Sequence, residues 1–166
     1  MHDATTSLPP AAQRDDAAEA LWFLGELIIV RLPGEQTADR FSLVEHVCRK
    51  GQASPWHRQL HDDETIHVVE GEMSFWAGDP ARPILRGGPG TTVFLPKGIP
   101  HCFRVESDTA RFLGVSTPAG HERFFRAGGE VAPERTLPPE GPPDMTKLEA
   151  ACRECGVEIL GPPPPP

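Results

Sequence analysis

The sequence predicts an all-β fold, a sandwich or small barrel of short antiparallel strands followed by short helices. Three observations lead there. Apolar, aromatic and β-branched runs between Leu21 and Ser116 are broken by turn residues about every 8 to 12 positions. Beyond Ser116 the period changes, with apolar residues three and four apart over Asp144 to Cys155. The chain has 166 residues, 38% of them hydrophobic, enough for one core and no more.

Residues 1–20 are polar and Ala- and Pro-containing, and are read as a lead-in to a barrel over 21–117. Leu21 to Leu32 reads as one long strand ended by Pro33-Gly34, because its second half is β-branched and aromatic. Arg40 to Lys50 alternates, with Phe41, Leu43, Glu45 and Val47 on one face and Ser42, Val44, His46 and Cys48 on the other. Strands follow at Thr65 to Val69, Met73 to Ala77, Ile84-Leu85, Thr92 to Leu95, from His101, and at Arg111 to Ser116. Trp56, Phe75, Trp76, Phe94 and Phe103 are expected mostly in the core. Residues 118–166 form a tail. Within it HERFFRAGG reads as a short helix ending at Gly128, and residues 132–143 are a Pro-rich connector. A helix capped by Asp144 and closed by Gly156 comes next, then a short extended piece over Val157 to Leu160.

Charge and hydropathy exclude several classes of partner. A net charge of −8 and a pI near 5.3 argue against a nucleic-acid surface, which needs clustered Lys and Arg. No apolar run approaches the roughly 20 residues that span a bilayer. Met1 to Ala20 lacks the basic-then-apolar order of a leader, so a cytoplasmic location with four reduced cysteines is expected. The lone Cys152-x-x-Cys155 pair reads as helix packing.

The stretch from Gly51 to Gly71 concentrates the chemistry. His57, Gln59, His61 and Glu64 lie within eight positions, a density of polar groups that is costly to bury without a charged partner such as a divalent metal. His57 and Gln59 share a strand face, and a turn over Leu60 to Asp63 brings Glu64 to them. Imidazole, amide oxygen and carboxylate suit Fe, Ni, Mn, Co or Zn. His61 and His67 are assigned to a turn and to the far face of a strand, and Asp62 and Asp63 to a solvated loop. A second block, GTTVFLPKGIPHCF, makes a strand, a Pro-Lys-Gly turn and then His101.

These two blocks resemble the paired motifs of the cupin superfamily. Gly51, His57, Glu64 and Gly71, then Gly90, Pro96, Gly98 and His101, match eight of ten motif positions with every spacing kept; Gln59 stands for a second His and Val105 for an Asn. The resemblance implies a small jelly-roll barrel, the double-stranded β-helix, with the metal inside it. It implies His57, Glu64 and His101 as ligands, with Gln59 either a fourth ligand or a hydrogen-bonder to one. The tail segments TPAG (117–120), PERTLPP (133–139) and VEILGPPP (157–164) resemble those of bacterial single-domain cupins grouped with quercetin 2,3-dioxygenases.

Together with the triad, this resemblance implies a metal-dependent, quercetin-2,3-dioxygenase-like enzyme acting on a small aromatic or enolisable molecule. Glu64 or Glu45 would be its base. Glu45 itself reads equally as a base or substrate contact inside the barrel and as an edge glutamate. A redox-neutral isomerase, cyclase or lyase fits the same residues, as does a small-molecule-binding barrel without catalysis. A homodimer is the expected assembly.

Overall fold

The computed structural model describes residues 9–165. Its strands are β1 (Glu19–Phe23), β2 (Glu26–Leu32), β3 (Ser42–Arg49), β4 (Trp56–Gln59), β5 (Asp63–Glu70), β6 (Met73–Ala77), β7 (Leu85–Gly87), β8 (Thr92–Leu95), β9 (His101–Val105), β10 (Thr109–Thr117), β11 (Glu130–Val131) and β12 (Val157–Gly161). Its α-helices are α1 (Gly34–Thr37), α2 (His121–Gly128) and α3 (Met145–Cys155). One sheet runs β11-β1-β2-β3-β10-β5-β8, the other β12-β4-β9-β6-β7, and every strand pairing is antiparallel.

The single long strand expected over Leu21 to Leu32 is instead a hairpin. Leu24 (φ 47°) and Gly25 (φ 87°) both adopt left-handed backbone, the geometry of a two-residue turn between twisted strands. The apolar run hid the turn because Leu24 is a poor turn signal and Gly25 stood alone.

Each sequence block crosses from one sheet to the other. The first leaves β4 in the smaller sheet for β5 in the larger, and the second leaves β8 in the larger for β9 in the smaller. The turns between them therefore sit at one end of the molecule, where side chains of both sheets meet.

The two largest apolar clusters among the described residues fill the interior, beside a smaller one of Ala18, Leu27 and Ile29. One holds Met73, Phe75, Phe103, Val105 and Phe112, with neighbours from β5 and β8. The other holds Phe23, Ile28, Val30 and Val44, closed by Phe124 and Phe125 of α2, Leu148 and Cys152 of α3, and Val157. Burying each such side chain is worth about 1.5–3 kcal/mol. The residues after Thr117 are thus built into the fold: β11 pairs with β1, β12 pairs with β4, and α2 edges Phe124 and Phe125 against Phe23 at 5.1 and 5.2 Å. Asp144 caps α3 by accepting from the Lys147 amide at 3.0 Å, and Gly156 ends it at φ 69°. Phe94 departs from its expected core position; it lies on the outer face of β8, 60% exposed.

Candidate metal centre

His57, Glu64 and His101 meet around one cavity between the two apolar clusters. His57 and His101 are register partners on β4 and β9, their rings 4.4 Å apart. Glu64 reaches them from β5, its Oε2 3.4 Å from His101 Nε2. His57 Nδ1 donates to the Pro55 carbonyl at 2.8 Å and His101 Nδ1 to the Ile99 carbonyl at 2.9 Å. With Nδ1 donating, Nε2 carries the lone pair whenever a ring is neutral. Backbone carbonyls set ligand tautomers in this way at metal sites.

Electrostatics hold His57 neutral and Glu64 ionised. Loss of hydration, then the neighbouring His101, pushes His57 down to about 3, so it is neutral at ordinary pH. Burial would raise Glu64, but His101 outweighs it and holds the carboxylate at about 2. The same carboxylate raises His101 against the effect of burial.

Gln59 is 1% exposed and lies outside the cavity lining. Its Nε2 sits 3.3 Å from Glu64 Oε2 and 3.2 Å from His121 Nε2, and its Oε1 has no partner. Asp62 is buried rather than solvated, with its Oδ2 3.8 Å from His121 Nδ1. Burial, then the charge of Glu64, raises its carboxyl to about 7. Asp63 caps the adjoining turn, accepting from the Lys97 amide at 2.9 Å.

Glu45 faces away from the cavity. Period-two alternation was read correctly but the inward face is the other one, carrying Val44, His46 and Cys48. Glu45 accepts from Arg31 Nε at 2.9 Å and faces Arg111 at 3.4 Å on the outside of the larger sheet. His46 occupies the inward place expected of Glu45. The imidazole stacks on Phe112 at 4.4 Å, edges Phe125 at 5.3 Å, and its Nδ1 is 2.9 Å from Glu26 Oε2. Gly114 leaves room beside it, since a methyl there would stand 3.4 Å from His46 Nε2 and 3.6 Å from Glu64 Oε1.

The sequence reading also missed His121 and Glu26, which line the same cavity. α2 delivers His121, and Glu122 fixes α2: fully buried, it accepts from the Gly34 and Gly120 amides, each at 2.9 Å. A histidine opening an apolar helix was the available signal. Burial pushes His121 down to about 4, so it too is neutral.

Residues 45–116 match the family described as Cupin domain. These residues form a cupin domain. This cupin is 27% identical over 96 residues to quercetin 2,3-dioxygenase of Bacillus subtilis, a match covering 58% of this chain but only 28% of that protein. It is similar in structure to the polyketide cyclase RemF of Streptomyces resistomycificus, with 26% identity, a TM-score of 0.55, and coverage of 66% of this chain and 80% of that one. An RmlC-like cupin from Shewanella frigidimarina shares the fold at 14% identity and a TM-score of 0.57, over 69% of this chain and 96% of that one.

The imidazoles of His57, His121 and His101, the last with a buried Nε2 that has no hydrogen-bond partner, and the Glu64 carboxylate are donor types that suit a divalent transition metal. Among the described residues no three of these side chains stand close enough together to hold an ion without moving.

Proposed function

We propose that this cupin is a metal-dependent enzyme acting on a small, flat aromatic or enolisable hydroxyl compound, with a quercetin-2,3-dioxygenase-like, oxygen-consuming reaction. The observation that carries it is the cavity itself. His57, Glu64 and His101 form one polar wall of a cavity of about 60 Å³, and Phe23, Phe103, Phe124 and Phe125 lie around the rest. The likeness to quercetin 2,3-dioxygenase supports the chemistry.

His57, Glu64 and His101 would hold the ion. Such an ion, when bound, polarises a substrate oxygen and, if redox-active, couples the substrate to dioxygen. The aromatic side chains hold a flat ring and exclude water. The second polar group facing the cavity, His46 with its Nδ1 anchored by Glu26, takes over the base role expected of Glu45. Its Nε2 is positioned to accept a hydroxyl proton while Glu26 stabilises the imidazolium.

The likeness to a polyketide cyclase, which spans four-fifths of that protein, favours a second reading in which the same residues activate an enolisable substrate without oxygen. Oxygen-electrode measurements on metal-replete protein with a flavonol panel separate them. Oxygen uptake that falls more than about a hundredfold in Glu64→Gln supports the first reading. Turnover that persists anaerobically assigns the second, and binding without turnover in either atmosphere overturns catalysis.

A further inference from the structure

Where the motif has its second histidine this chain has Gln59, and Gln59 does not reach the cavity. His121 does. Its Nε2 and Glu64 Oε2 both approach the Gln59 amide nitrogen, at 3.2 and 3.3 Å. A neutral imidazole nitrogen and a carboxylate oxygen are both electron-pair donors, so they share one NH2 group as two acceptors share a cation. The amide orientation follows, since its oxygen turned toward Glu64 would set two acceptors face to face. The Gln59 oxygen is then directed away from both and finds no partner.

His121 is also oriented as a ligand. The Gln59 amide stands 3.2 Å from its Nε2, which places the lone pair on that nitrogen, and the Asp62 carboxyl lies 3.8 Å from Nδ1. Its ring is held at 4.9 Å edge-on to Phe125, and Glu122, the next residue, pins the start of α2.

We infer that His121, carried by the helix after the barrel, supplies the fourth donor to the metal in place of the motif histidine, and that Gln59 is a hydrogen-bonding spacer between it and Glu64. This rests on the metal reading above. His57, His101, His121 and Glu64 would hold the ion, and the Gln59 amide would give up its two acceptors to it.

The test is a Co(II) titration of chelator-treated protein followed by its visible absorption, with Cu(II) electron spin-echo spectroscopy to number the imidazoles. Wild type, His57→Ala, His121→Gln, Gln59→Ala and the double variant Gln59→His/His121→Gln are compared, each checked for folding by circular dichroism. Three imidazoles are expected in wild type and two in His121→Gln, with affinity at least about tenfold lower. Gln59→Ala keeps three imidazoles, and the double variant regains the third. An unchanged imidazole number in folded His121→Gln overturns the assignment, as does its loss in Gln59→Ala. If wild type binds no Co(II), the metal reading falls and takes this assignment with it; if only the His121 variants behave like wild type, the metal reading stands alone.

Discussion

Glu122 shows how much a single buried side chain holds. Its carboxylate satisfies two backbone amides, Gly34 and Gly120, that have no other partner among the described residues. Glu122→Ala should cost about 2–4 kcal/mol in urea denaturation, because charge-assisted hydrogen bonds are lost and buried donors stranded. An effect below about 1 kcal/mol would mean that water reaches those amides. The legibility of the site also divides at this scale. His57, Glu64 and His101 could be found because short turns fix where fixed spacings put them. His46 could not be told from Glu45, since alternation gives two faces without saying which is inward. Asp62 looked solvated because an Asp-Asp pair in a turn ordinarily is; its burial is imposed by His121, which belongs to a remote segment.

Elements with their own end signals were legible. Asp144, Gly156 and the three-and-four spacing give α3, and the turn glycines give most strand limits. What α3 packs against was not, since an apolar stripe names no partner. Leu148 projects from it into the cluster around Phe23 and touches the cavity, 4% exposed. Leu148→Ala should lower stability by about 2–4 kcal/mol, read from the urea midpoint. The same truncation enlarges the cavity, so it should admit a bulkier aromatic ligand than wild type does. Unchanged ligand selectivity together with lost stability would mean that the neighbours collapse into the space.

For the whole molecule, the neutral histidines make metal-free protein sensitive to acid. His121 sits at about 4 when folded, below its ordinary 6.5, so between those values the unfolded chain binds more protons. Its contribution is complete above pH 6.5 and is lost as pH falls toward 4, by up to roughly 3 kcal/mol. Asp62, raised from 3.8 to about 7, has the opposite sign and loses stability as pH rises through that window. The difference between wild type and His121→Gln isolates the imidazole: their urea midpoints should converge between pH 7 and 4.5, and parallel profiles would sink the idea. One pairing reaches further. β12 lies beside β4, with Ile159 opposite His57. During synthesis roughly a hundred residues follow His57 before its strand gains that neighbour, and until then β4 is an open edge with its backbone groups unpaired. The barrel strands can pair as they emerge, but the wall that carries the first histidine waits for the segment at 157–161. Premature termination in the Pro-rich connector would therefore yield a chain with most of its sheets and an exposed, sticky border beside its most reactive residues.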